Sequence, residues 1–168
     1  MSKTAIITGA GTGIGRGIAV SFAKAGYNLT LAGRRTEPLE ETAKQCGDAQ
    51  ILIIATDVTD RTSVQTLAQK TLETFGGIDI LVNNAGINTK ARNLDDISDE
   101  DWDRVININL TGAFNAFRAV RSQMKKQNDG VVINIASMAG KKAGTVGGAA
   151  YSASKFGMAS LTQSINAE

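Results

Sequence analysis

The chain has no histidine, one cysteine and one proline among its 168 residues. The missing histidine excludes Ser-His-Asp and Cys-His catalysis, and with it the common zinc sites. A single thiol, Cys46, excludes an internal disulfide and a cysteine-ligated metal centre, so no metal site is expected. Aromatic residues make up 5%, and no apolar run is long enough for a membrane span or a signal peptide. Charge of one sign is lacking too. Eighteen Lys and Arg stand against 16 Asp and Glu, and the basic runs are only pairs: Arg34-Arg35, Lys125-Lys126 and Lys141-Lys142. Nucleic-acid binding needs clustered positive charge, so none is expected. These absences predict a cytoplasmic protein whose acid–base chemistry falls to Tyr, Lys, Asp or Glu.

What is present is core-forming material and glycine. The composition is 42% hydrophobic, and a chain of this length buries about 70% of its unfolded surface on folding. Twelve of the 18 glycines crowd between Gly9 and Gly33 and again between Gly130 and Gly148, where backbone must approach something closely. Short β-branched runs over residues 4–8, 28–32, 51–55, 78–82 and 131–136 read as buried parallel strands. Helical patterns lie between them. Val64, Leu67, Ala68, Thr71, Leu72 and Phe75 share one face, with Thr59 or Asp60 as cap. Another helix opens at Thr36 and Pro38. A third carries Trp102, Val105, Ile106 and Leu110 behind a Ser98 cap, and a fourth carries Phe114, Phe117, Val120 and Met124. A last helix runs from Tyr151 past Phe156, Ala159, Leu161 and Ile165 without a closing signal. Strand–helix alternation predicts an α/β fold, a doubly wound parallel sheet of the Rossmann type, as one domain over 1–168.

Thr8-Gly-Ala-Gly-Thr-Gly-Ile-Gly15 follows a predicted strand and opens a predicted helix. Free N–H groups and the positive end of the helix dipole suit a diphosphate there. The spacing is neither GxGxxG nor Walker A, and an empty strand–helix turn is the plain alternative. Roughly 20 residues on, a dinucleotide fold places an acid for the adenosine ribose or an arginine for a 2′-phosphate. Ala32 and Gly33 are not acids and Arg34 follows, which favours NADP over NAD; solvated basic residues are the alternative.

Tyr151-Ser-Ala-Ser-Lys155 puts a phenol and an ammonium at i and i+4 on one helical face. A cation about 4 Å away is worth roughly 4 kcal/mol at an effective dielectric of 20, enough to make a phenol useful at neutral pH. Ser137 ends a predicted strand, where open α/β sheets bind their ligands. Asn109 lies on the apolar stripe of Val105 and Ile106, so its amide faces the core and needs partners. Backbone groups could satisfy it, or it could hold a water or a neighbouring carbonyl.

Together these segments resemble the short-chain dehydrogenase/reductase family from the first strand to Glu168. TGxxxGxG matches residues 8–15, NNAG matches Asn83-Asn-Ala-Gly86, and Asn-x-Asn-Leu-x-Gly matches Asn107 to Gly112. Ser137 and YxxxK at Tyr151 and Lys155 complete the pattern. The resemblance implies hydride transfer between NADP and a small alcohol or carbonyl substrate, 3-oxoacyl thioesters among the possibilities. It implies that Tyr151 exchanges the proton, that Lys155 stabilises the phenolate and holds the nicotinamide ribose, and that Ser137 positions the carbonyl. Asn109 would anchor a water that links Lys155 to solvent. Gly9, Gly13, Ile14 and Gly15 would hold the diphosphate, Asp57-Val58 the adenine, and Asn83, Ala85 and Gly86 would line the cleft beside Arg34. Residues 87–92 and 141–148 would flank the substrate. Members of the family dimerise or form tetramers through the helices carrying Phe114 and Tyr151, so a homodimer or homotetramer is implied. They also continue past this last helix, so the C-terminal part of the domain is expected to be absent from 1–168. A dinucleotide-binding sensor or scaffold without turnover is the competing expectation, against which the Asn-Ser-Tyr-Lys set argues.

Overall fold

In the computed structural model, which describes residues 2–167, strands and helices alternate. β1 (Thr4–Thr8), β2 (Asn28–Gly33), β3 (Ile51–Ala55), β4 (Ile80–Asn83) and β5 (Val131–Asn134) form one parallel sheet in the order β3-β2-β1-β4-β5. Every residue of β1 is buried, as a central strand covered on both faces requires. The helices are α1 (Gly13–Lys24), α2 (Thr36–Lys44), α3 (Arg61–Phe75), α4 (Asp99–Ile106), α5 (Gly112–Gln127) and α6 (Ala149–Ala167).

Alternation along β1 feeds two cores. Ile6 packs with Val64, Leu67 and Ala68 of α3 and with Ala116, Val120 and Met124 of α5. Ala5 and Ile7 face the other way, toward Ala19 of α1 and Leu39 of α2. Complete burial of an Ile or Leu side chain contributes roughly 1.5–3 kcal/mol, so the fully enclosed Ile6, Ile7, Leu29, Leu31 and Leu81 dominate the sheet's stability. Two caps are those expected: Asp60 accepts from the Thr62 N–H, and Ser98 accepts from the Asp101 N–H behind an acidic first turn.

The differences from expectation are local. β4 begins at Ile80 rather than Ile78, because the Gln127 side chain takes both the N–H and the C=O of Ile78. β5 ends at Asn134, two residues short of the expected end. Phe114, placed on a core stripe by its spacing, is 37% exposed. It lies six residues before the buried Val120, about 120° away around α5, whereas Ala113 and Ala116 share the buried face with Val120 and Met124. A π-helical segment, Asn107–Thr111, joins α4 to α5. No helix among the described residues is long and apolar enough to cross a membrane.

Candidate active site

The sheet reverses its order at β1, between neighbours β2 and β4, and such a point opens a crevice at the carboxyl ends of the strands. The segments leaving β1 and β4 wall one cleft with two arms. Gly9, Thr12, Ala85, Gly86 and Ile87 line both arms, so the cleft is continuous. One arm adds Gly11, Arg34, Arg35, Thr56, Asp57 and Val58; the other adds Gly13, Ile14, Ser137, Met138, Tyr151 and Lys155.

The glycine turn is built for close approach. Gly13 has φ +53°, in the left-handed region, and a Cβ there would meet nothing within 4 Å, so it would project into open space. Gly15 lies behind the turn, where a Cβ would strike the Gly9 carbonyl oxygen and come within 2.5 Å of the Asn84 amide nitrogen. Thr12, the N-cap of α1, makes no side-chain capping bond, which leaves the helix's leading N–H groups open. An open cradle of backbone donors with no side chain in the way fits the diphosphate of a dinucleotide.

Asn84 was not singled out in the sequence, yet its amide donates to both the Thr8 and Gly9 carbonyls, at 2.9 and 3.0 Å, and fixes the turn against β4. The Thr8 hydroxyl accepts from the Asn84 and Ala85 N–H groups and donates to Val82 O. Asn83, expected to line the cleft, does not. As the last residue of β4 it points into the opposite layer, donating to Ala113 O of α5 and to Asn134 Oδ1 of β5. The alternation of a strand explains the exchange: adjacent asparagines face opposite ways, and only one reaches the turn.

In the adenosine arm, the Asp57 carboxylate accepts from the Thr59 N–H at 2.9 Å and its hydroxyl at 2.7 Å. The Thr59 N–H chiefly holds the carboxyl below its ordinary range; burial opposes this, while the Thr59 hydroxyl and the Arg34 charge add to it. Val58 is pinned by Asn115, which donates to its carbonyl at 3.0 Å. Arg34 and Arg35 are exposed at the rim.

In the other arm, Lys155 is only 4% exposed. Its ammonium donates to Ile135 O at 2.7 Å and lies 5.6 Å from the centroid of the Tyr151 ring. Burial pushes its pKa below the ordinary lysine value. The Ser137 oxygen accepts from the Ala139 N–H at 3.2 Å, which leaves its own hydrogen uncommitted among the described residues. Asn109 is fully buried. Its oxygen accepts from the Ile87 N–H at 2.8 Å, and its NH2 donates to Ile87 O at 2.9 Å and to Ser154 Oγ at 3.1 Å. Ser154 donates in turn to Tyr151 O. The amide thus clamps the loop after β4 and ties it to α6. Of the segments expected to flank the substrate, Ile87, Asn88, Lys142, Gly144, Val146 and Gly147 reach this arm. Asn88 and Arg92 join the two segments by donating to Gly147 O and Val146 O.

A doubly wound sheet with a glycine turn at its switch point and a Ser, Tyr and Lys on the adjoining wall is the arrangement of an oxidoreductase class. The chain belongs to the short chain dehydrogenase family, whose model it matches over residues 3–168. It is similar to an uncharacterized oxidoreductase of Staphylococcus aureus strain USA300, at 36% identity over 166 residues, covering 99% of this chain and 71% of that protein. It is 39% identical over 168 residues to a 3-oxoacyl-[acyl-carrier-protein] reductase of S. aureus strain Mu50, covering 98% of this chain and 67% of that one. Among solved structures, NAD+-bound xylitol dehydrogenase superposes with a TM-score of 0.93 at 36% identity, over 97% of this chain and 63% of that one. An alcohol dehydrogenase from the archaeon Thermococcus sibiricus, complexed with 5-hydroxy-NADP, does so with 0.89 at 28% identity, over 98% and 70%.

Proposed function

We propose that this chain carries out NADP-dependent hydride transfer between the nicotinamide and an alcohol or carbonyl carbon. The observation that carries the reading is the continuity of the cleft, with the glycine turn shared between an arm that holds Arg34 and an arm that holds Ser137, Tyr151 and Lys155. A bound dinucleotide supplies or takes up the hydride. Gly9, Gly13, Ile14 and Gly15 would hold its diphosphate, Asp57 and Val58 its adenine, and Ala85 and Gly86 its central portion. Asn83 contributes from behind, by joining β4 to β5 and α5. Arg34 would accept a 2′-phosphate, and the absence of an acid at Ala32 or Gly33 supports that choice.

Tyr151 gives its phenolic proton to the carbonyl oxygen in reduction and takes it back in oxidation. The Lys155 ammonium stabilises the phenolate left behind, and burial strengthens that attraction. The free hydrogen of Ser137 holds the carbonyl oxygen in place. Asn109 acts by fixing Ile87, which belongs to both arms. Ile87, Met138 and Val146 give the substrate arm an apolar side. Together with the 3-oxoacyl reductase relative, this supports 3-oxoacyl thioesters as the first compounds to try. Exposed Phe114 and Phe156, on α5 and α6, support a homodimer or homotetramer built on those helices. The composition supports a cytoplasmic site of action.

The test is NADPH oxidation with a panel of ketones and 3-oxoacyl thioesters. Turnover is expected, with Tyr151→Phe slower by about 10²–10⁴-fold. Full activity in that variant overturns the mechanism. NADPH binding with no turnover on any carbonyl would favour a sensor or scaffold.

A further inference from the structure

A backbone turn that receives an anion must present its N–H groups and keep its carbonyl oxygens away, because each carbonyl dipole repels the charge that an N–H attracts. Here the N–H groups of Gly11, Thr12, Gly13, Ile14 and Gly15 donate to no protein acceptor among the described residues. The four carbonyls from Thr8 to Gly11 are all held by side chains. Asn84 takes Thr8 O and Gly9 O. The Thr42 hydroxyl donates to Ala10 O at 3.0 Å, sharing its hydrogen with Pro38 O. The Arg16 guanidinium donates to Gly11 O at 2.6 Å through Nη2 and to Thr42 Oγ1 at 3.1 Å through Nε.

Two features mark the Arg16–Thr42 pair as more than packing. Thr42 is fully buried on α2, which makes it a fixed anchor. Arg16 forms no salt bridge among the described residues: its Nη2 and Nε donors go to the turn and its hydroxyl anchor, and the Glu41 carboxylate acts on it only through its charge. A charge-assisted bond of this kind is stronger than a neutral one.

We infer that Arg16 and Thr42 are positioning residues for diphosphate binding: they tie the Ala10 and Gly11 carbonyls back against α2, so that only N–H donors face the cleft. The inference rests on the dinucleotide reading above. It assigns no contact between either side chain and the ligand.

The experiment measures binding of ADP-ribose, which carries the diphosphate, and of adenosine, which does not. Both are titrated by NMR against the parent chain, Arg16→Met, Thr42→Val and Thr42→Ser. Arg16→Met and Thr42→Val should weaken ADP-ribose about tenfold and leave adenosine within about twofold. Thr42→Ser, which keeps the hydroxyl, should restore ADP-ribose affinity to near the parent's. Parent-like ADP-ribose binding in Arg16→Met and Thr42→Val overturns the assignment while the dinucleotide reading stands. Equal loss of both ligands also overturns it, because the residues would then support the fold as a whole. A parent chain that binds no ADP-ribose overturns the dinucleotide reading, and the assignment with it.

Discussion

Asn109 is the residue whose removal the structure prices most directly. Its amide makes three hydrogen bonds, two to the backbone of Ile87 and one to Ser154, and none of its surface is exposed. Asn109→Ala removes all three. At about 1 kcal/mol for each bond, the variant should lose about 3 kcal/mol of unfolding free energy, more if the vacated Ile87 groups stay dry. Urea unfolding followed by circular dichroism reads this as a lower midpoint at unchanged slope. Asn109→Asp makes the argument sharper. Its carboxylate can still accept from the Ile87 N–H, but it turns an oxygen toward Ile87 O and Ser154 Oγ where a donor stood. Protonation restores one donor, so the folded pKa of the new carboxyl should rise above its unfolded value. The variant should therefore approach the parent below about pH 4 and fall behind as pH rises through the folded value. Nucleotide affinity should drop in both variants, since Ile87 lines both arms of the cleft. A loss under about 0.5 kcal/mol in Asn109→Ala would refute the reasoning and return the amide to a role on a water near Lys155.

Three further outcomes follow from the same geometry. Gly15→Ala places a methyl group against the Gly9 carbonyl and the Asn84 amide; about 1–3 kcal/mol of stability and most dinucleotide affinity should be lost, by urea unfolding and NADPH fluorescence titration. Lys155 is held by burial below its unfolded pKa of 10.5, so its desolvation cost is full below the folded value and fades as pH rises toward 10.5. The parent should therefore gain stability relative to Lys155→Met across that interval in pH-dependent melts, and a parallel pair of curves would contradict this. Arg34→Glu should move preference from NADPH toward NADH in paired affinity measurements; an unchanged ratio would sink the 2′-phosphate assignment.

Much of this molecule is legible in its sequence because burial and chemistry coincide there. β1 lies in the middle of the sheet, and its apolar run marks both its place and its limits. The Asp60 and Ser98 caps were legible because a short polar side chain just before an amphipathic stripe has few other uses. Ile78 misled, because an apolar side chain reports burial and not which group takes its N–H; here Gln127, distant in sequence, does. Phe114 misled because successive steps of three drift off a 3.6-residue stripe: six residues before Val120 it lies about 120° around α5, while Ala113 and Ala116 hold the buried face. At the site, the residue types were readable and their partners were not. NNAG points to two adjacent asparagines, but only the pleat decides that Asn84 grips the glycine turn while Asn83 faces α5. Arg16 and Thr42 were invisible for the same reason, since nothing local links an arginine in α1 to a threonine in α2.

The central claim is that the cleft moves hydride, not merely that it binds a nucleotide. The direct measurement uses NADPH labelled with deuterium at the transferable position of the nicotinamide, a 3-oxoacyl thioester, and mass spectrometry of the product. One deuterium per molecule on the new carbinol carbon is predicted for the parent chain, and for Tyr151→Phe the same labelled product forming about 10²–10⁴-fold more slowly. Saturating NADPH binding with no deuterium in any product would contradict the account.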